Sequence, residues 1–163
     1  SFGTMTFFVN ILFVLLQWPL LGKYFHFTSF LQIPVVFVFG VFIDFMMALL
    51  APLAPEAYAA RLAQSFLGNI VLAAGIVMQL HSRTIVQPGE GLVLALTVRF
   101  KKPFGTLKIA NDVTLVSLAA LIGVATTGGL VGIREGTLVS AVFVGIFARL
   151  LLKLWPMPER KAA

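Results

Sequence analysis

The sequence predicts an all-α protein, a polytopic bundle of transmembrane helices. Of its 163 residues, 60% are hydrophobic and 11% are charged, whereas a soluble domain carries about 25% charged residues. The mean hydropathy is +1.02. Several apolar runs approach or exceed the roughly 20 residues that a helix needs to cross a bilayer core of about 30 Å. We therefore expect a single transmembrane domain over residues 1–163.

Five spans are predicted, and the full protein is expected to have six. The chain has no initiator Met, and it opens directly onto a span without a charged signal region, which suggests that an N-terminal helix is missing. A further apolar run, 92–98, is too short to span as a helix. It follows Pro88 and two glycines, which predicts either a re-entrant or an interfacial helix near 89–99. The spans cover residues 4–22, 27–50, 62–80, 113–133 and 137–154.

The basic residues predict an orientation. When the spans are placed in alternation, ten of the 12 Lys and Arg fall on one side of the membrane, and only Arg61 and Arg134 fall on the other. By the positive-inside rule the basic side is cytoplasmic, so the C-terminus is predicted to be cytoplasmic. Because the basic residues are scattered at the ends of spans, the net charge of +6 does not indicate nucleic acid as a partner.

An internal repeat is predicted from two shifted matches. A shift of 102 aligns the Phe-Gly-Thr triplet at 2–4 with that at 104–106, and Asn10 with Asp112. A shift of 105 aligns Gly40 with Gly145. An odd number of crossings separates the copies, which makes them inverted three-helix repeats of the kind found in secondary transporters. Residues 1–50 are assigned to the first repeat and residues 62–155 to the second.

Polar side chains inside the predicted spans are the candidate site residues, because an ionised group in the apolar layer needs a partner or water. Asp112 lies near mid-depth if its helix starts at the Phe-Gly-Thr triplet, where it would bind a cation or relay a proton. The alternative is that Lys108, one turn earlier, only neutralises this acid. The predicted substrate or ion site consists of Asp112, Asn10, Asn69 and Gln17.

Two ion pairs and one packing motif are also predicted. Asp44 is expected to pair with Arg134, and Glu90 with Arg149, either as gates or as structural staples between the repeats. Small residues recur at a spacing of four in the last two helices, which favours close helix packing. The packing residues are Gly128, Gly132, Gly136 and Gly145.

Enzymatic and metal chemistry are not predicted. The chain has no cysteine, and His26 and His81 form no metal-ligand spacing. No phosphate-binding glycine loop and no metalloprotease motif occur. We therefore predict no enzyme activity, no cofactor and no metal.

Several separated motifs resemble the bacterial YczE/YitT-type integral membrane proteins, in particular a subgroup of unknown function. The resemblance implies a small polytopic protein of the bacterial cytoplasmic membrane, with one more N-terminal helix than this chain has. It implies no established substrate. The motifs are SFGTMTFFVNILFVLLQ, LQIPVVFVFGVFIDF, QPGEGLVLAL, PFGTLKIANDV and GIREGTLVSAVFVGIFARLL.

These observations predict a transporter or permease of a small solute with a polar site near the membrane midplane. The alternative is an accessory or scaffold protein that does not transport. The expected partners are the lipid bilayer and a small molecule or ion, with a second copy of the chain or another membrane protein as further candidates.

Overall fold

The computed structural model describes residues 2–22, 27–82, 84–129 and 133–156. These residues form six α-helices and contain no strand, which confirms the all-α prediction for this part of the chain. Short 3-10 turns occupy Phe27–Leu31 and Ala51–Leu53. The helices are α1 (Phe2–Leu21), α2 (Gln32–Leu50), α3 (Tyr58–Ser82), α4 (Pro88–Phe100), α5 (Phe104–Thr127) and α6 (Glu135–Leu154).

Five of these helices, all except α4, are long and apolar enough to cross a membrane, as predicted. The largest difference from the prediction is the start of α5, which begins at Phe104 rather than at residue 113. Lys108 and Asp112 lie within this helix, and their side chains, one turn apart, form an ion pair that adds a few tenths of a kcal/mol of support to it. It ends at Gly128, whose φ of 74° is the left-handed conformation that favours glycine at a helix C-terminus.

One compact unit contains α1, α2 and α4. Helix α1 packs against both of the others. Helix α4 runs parallel to the second half of α1: Gly89 lies beside the ring of Phe13, and Gly91 lies beside the amide of Gln17. The C-terminal ends of α1 and α4 line one groove.

The other compact unit contains α3, α5 and α6, and here α6 packs against both of its neighbours. Buried residues of α3 recur every three or four positions, from Asn69 to Leu80, so one face of the helix is covered. Phe66 of α3 packs edge-on against Phe143 and Phe147 of α6, with both ring centroids 5.4 Å away.

Unit membership does not follow chain order. Helix α4 lies within residues 62–155 but belongs with α1 and α2. The first three helices in the chain therefore do not form one unit: α4 takes the place of α3 in the first unit, and α3 belongs to the second. The assignment of residues 1–50 and 62–155 to two repeats stays a prediction.

Candidate functional site

Gln17 and Gln32 form a buried pair of side-chain amides in the first unit. Gln17 is 2% exposed and Gln32 is 6% exposed. The Nε2 of Gln17 donates to Oε1 of Gln32 at 3.2 Å, and the Nε2 of Gln32 donates back to Oε1 of Gln17 at 3.4 Å. Each amide therefore donates one hydrogen bond to the other and accepts one from it, whereas an unpaired amide in an apolar layer would cost about 2–7 kcal/mol.

The N-terminal end of α4 is attached to this amide pair. Gln17 Nε2 also donates to the carbonyl oxygen of Pro88, at 3.1 Å. A Cβ atom at Gly91 would lie 3.0 Å from both Nε2 and Oε1 of Gln17, so a side chain there would press on this amide. Glu90, between these contacts, is 8% exposed. Two amides and one glycine thus position the first turn of α4 against α1.

This first turn lies level with the interior of α1, since Gly89 is beside Phe13 and Gly91 is beside Gln17. Helix α1 runs from Phe2 to Leu21 and is a candidate membrane span. Proline at the first helical position suits the start of a helix, because that position needs no N–H donor. Helix α4 therefore starts beside the middle of a candidate span and ends beside its C-terminus.

Helices α1 and α2 meet at a pair of glycines, Gly3 and Gly40. A Cβ atom at Gly3 would collide with the carbonyl oxygen of Gly40. Next to this contact, the backbone N–H of Gly3 donates to Oδ1 of Asp44 at 2.9 Å. A carboxylate at a helix N-terminus is stabilised by the unpaired N–H groups and the helix dipole. Asp44 therefore joins the C-terminal half of α2 to the start of α1.

Helices α5 and α6 of the second unit meet in a similar way, at Gly105 and Gly145. A Cβ atom at Gly105 would lie 2.7 Å from the carbonyl oxygen of Gly145 and 2.5 Å from Cβ of Arg149. Both glycine pairs match the sequence shifts of 102 and 105. Arg149 stands one turn after Gly145, as Asp44 stands one turn after Gly40.

Two of the four predicted site residues have partners on their own helices. Asp112 Oδ2 lies 3.1 Å from Nζ of Lys108, and the two side chains are 19% and 11% exposed. Asn111 also donates to Asp112, at 3.1 Å. Asn10 donates to the carbonyl oxygen of Thr6 at 2.8 Å. Local pairing therefore compensates the polar groups of both Asp112 and Asn10.

The other two predicted site residues, Gln17 and Asn69, are buried and bond to other helices. Ser140 of α6 donates to Oδ1 of Asn69 at 2.8 Å, while the buried Nδ2 of Asn69 has no partner within the described residues. On α1, Asn10 and Gln17 bond to different groups. In the second unit, Asn69 and Asp112 likewise have separate partners. These four residues do not form one hydrogen-bonded cluster within either unit, and their shared site stays a prediction.

Each predicted ion pair joins residues of different units: Asp44 and Glu90 belong to the first, and Arg134 and Arg149 to the second. Both pairings stay predictions. Within its own unit, Arg134 is the N-cap residue of α6, and its carbonyl oxygen accepts from the N–H of Thr137 at 2.9 Å.

The predicted packing glycines have different environments. Gly145 meets α5, and Gly136 approaches the hydroxyl of Ser65 on α3. Gly128 has open space where a side chain would point and instead ends α5. Gly132 lies outside the described residues.

Sequence reasoning missed Gln32, the partner of Gln17. The signal was available, because Gln32 precedes a long apolar run in LQIPVVFVFG, and an amide inside or beside such a run needs a hydrogen-bond partner. The sequence does not show which amide that partner is, because Gln17 and Gln32 lie on separate helices.

The five long apolar helices define a polytopic helical membrane protein. The chain belongs to DUF6198, a family of unknown function, whose model matches residues 1–153. No curated protein and no solved structure matches the chain.

Proposed function

We propose that the protein is a transporter or permease of a small solute in the bacterial cytoplasmic membrane, with its solute path at the N-terminal end of α4. The observation that carries the proposal is a buried short helix that starts beside the middle of a candidate span and is attached there to Gln17 and Gln32. The narrower assignment to the YczE/YitT-type proteins, and the cytoplasmic C-terminus, are parts of the same proposal.

Helix length supports a re-entrant rather than an interfacial α4. Its 13 residues extend about 20 Å at 1.5 Å per residue, which is less than the bilayer core of about 30 Å. Its axis follows α1, so it does not lie across the end of that helix. Non-helical backbone at membrane depth is tolerated where protein buries it or where it lines a water-filled cavity. Broken helices of this kind supply backbone groups to the sites of secondary transporters.

The side chains at this point suit a polar solute. Gln17 and Gln32 present amide donors and acceptors, and Glu90 adds a buried carboxyl group in the first turn of α4. In an apolar layer, such groups mark solute or ion pathways more often than elsewhere. Gln17 was predicted as a site residue, and we add Gln32 to the proposed site. Asp112, Asn10 and Asn69 remain candidates for the same path.

The two glycine contacts support the repeat on which the proposal draws. Gly3 meets Gly40 in one unit, and Gly105 meets Gly145 in the other. These are the residues that the sequence shifts align. Apolar helices match one another easily in sequence, but a shared contact at equivalent positions is a stricter criterion. Inverted repeats of three helices are typical of secondary transporters.

An accessory or scaffold role is the second candidate, and the Lys108–Asp112 pair favours it. The 3.1 Å contact neutralises the acid that was predicted to bind a cation. A protein that only organises a partner needs such acids compensated and needs no water at the start of α4.

Water access at α4 separates the two functions. The chain has no cysteine, so a single cysteine reports its own position. At Gly89 a Cβ atom would meet only the ring of Phe13, at the ordinary contact distance of 3.8 Å, so Gly89→Cys introduces no clash at Cβ. In proteoliposomes we expect this thiol to react with a membrane-impermeant methanethiosulfonate, because a solute path carries water to it.

The matched control is Gly68→Cys, at an exposed position near the middle of α3, where a Cβ atom would meet nothing within 4 Å. A thiol in lipid should stay unmodified. If the reagent modifies Gly89→Cys no faster than Gly68→Cys, the result would contradict the transport proposal and favour the scaffold role.

A further inference from the structure

A groove at the C-terminal ends of α1 and α4 combines apolar walls with two cations. It is lined by residues 19–22 of α1 and by Val98, Arg99 and Lys101, and its volume is about 430 Å³. Since α1 is a candidate span, its C-terminal end lies at a membrane boundary. Trp18 is 61% exposed just before this end, as expected for an aromatic side chain at headgroup level. We refer to this feature as the basic groove.

The two cations of the basic groove have no partner in the described part of the chain. Neither the guanidinium of Arg99 nor the ammonium of Lys101 makes a hydrogen bond or ion pair there. Basic side chains near a helix C-terminus often bond to its last carbonyl groups, and neither of these does. Their positive charge is therefore available to a ligand.

The described acids of this unit lie away from the basic groove. Asp44 bonds to Gly3 at the opposite end of α1, and Glu90 lies in the first turn of α4. Glu56 follows α2, whose C-terminal half runs toward Gly3. No described carboxylate of this unit therefore lies beside Arg99 and Lys101.

The backbone at Lys101 also favours a role for this side chain. Lys101 ends α4 with a φ of 53°, a conformation that glycine adopts without strain and that other residues rarely adopt. A lysine here carries a conformational cost that glycine would avoid. Its charge beside an apolar wall is the property that glycine would lack.

From these observations we propose that the basic groove binds the headgroup of an anionic phospholipid. Arg99 and Lys101 would contact the phosphate, and Leu20, Leu21 and Val98 would contact the upper part of the acyl chains. A site for free phosphate would not need apolar walls, and a site for acyl chains alone would not need cations. The combination of both in one groove therefore indicates a lipid with an anionic headgroup. This site is independent of the proposed transport path.

Lipid titration of the full chain in detergent, followed by native mass spectrometry, tests the proposal. The probes are 1-palmitoyl-2-oleoyl phosphatidylglycerol and the phosphatidylcholine with the same chains. Each juxtamembrane cation favours an anionic lipid by about fivefold, so two predict about 30-fold tighter binding of phosphatidylglycerol. The double variant Arg99→Gln/Lys101→Asn should remove this preference, and asparagine tolerates the backbone conformation at residue 101.

Two further variants distinguish a groove from general surface charge. Lys102→Gln/Lys153→Gln removes the same charge outside the groove and should keep the preference. Val98→Trp leaves the charge unchanged but fills the groove from a position that is 52% exposed, and it should weaken phosphatidylglycerol binding. The proposal would be overturned if both double variants lost the preference for phosphatidylglycerol equally, or if Val98→Trp did not change phosphatidylglycerol binding. Competition by glycerol 3-phosphate at the same concentration as the lipid would also overturn it, because the site would then recognise free phosphate.

Discussion

Gly3 and Gly105 show how single residues determine which helices touch. Each lies in the first turn of its helix, and at each a Cβ atom would overlap the partner helix. In lipid, helices gain little from the hydrophobic effect, so close backbone approach at small residues is a main source of association. The sequence singled out Gly145 on this basis, but it did not show that the partner is Gly105 rather than another glycine of the chain.

Gly105→Ala is expected to destabilise the protein by about 1–3 kcal/mol, the usual cost of overpacking. The added methyl group would lie 2.7 Å from the carbonyl oxygen of Gly145, so α5 and α6 must separate. Thermal unfolding of the purified protein in detergent measures the change. Gly68→Ala is the control: open space surrounds this glycine, and alanine in a helix interior should stabilise by up to about 1 kcal/mol. If both variants change the unfolding temperature in the same direction, the contact between Gly105 and Gly145 does not limit packing.

At the scale of elements, α4 differs most from the five candidate spans. It is the shortest of the α-helices in the described residues, and the first half of it is largely buried. Composition indicated that residues 92–98 cannot cross a membrane, and Pro88 with two glycines indicated where the helix starts. The sequence left open whether this helix is re-entrant or interfacial. The contacts of Gly89 and Gly91 show that α4 follows the axis of α1, and this observation supports the re-entrant placement that we propose.

Gln17→Leu is expected to loosen α4 selectively. The substitution leaves the Gln32 amide and an acceptor site of Pro88 unpaired in a buried place, at a cost of about 1–3 kcal/mol. Hydrogen exchange measured by mass spectrometry should show faster exchange of the amides in α4 and unchanged exchange in α5. Gln64→Leu, at an exposed position of α3, should change neither. Uniform acceleration across all helices would mean that Gln17 stabilises the whole protein and does not specifically anchor α4.

At the scale of the whole molecule, the chain forms two units, one of α1, α2 and α4 and the other of α3, α5 and α6. The topology predicted from basic residues applies to both units at once, because alternating spans determine the side of every loop. The loop after α2 should then be outside, and the loop between α4 and α5 should be cytoplasmic.

Single-cysteine labelling of intact cells tests this orientation. Ala54→Cys lies in the loop after α2 and Lys102→Cys between α4 and α5, and both positions are exposed. A membrane-impermeant maleimide should modify Ala54→Cys in intact cells and should modify Lys102→Cys only after the cells are opened. The reverse pattern would invert the predicted topology, and it would leave the helix contacts within each unit unchanged.

The sequence by itself determined the properties that depend on composition and local spacing. Five apolar runs predicted five spans, the break at Pro88 predicted a short helix, and a spacing of four residues anticipated the Lys108–Asp112 pair. Such features arise from interactions within one helix or between one helix and its solvent.

Only the tertiary structure decided which helices share a unit, and with that the partners of individual side chains. The pairing of Gln17 with Gln32 and the contact of Gly3 with Gly40 join different helices. Apolar helices can pack against one another in many combinations of similar energy. The combination that forms depends on where small residues allow close approach and where buried amides meet.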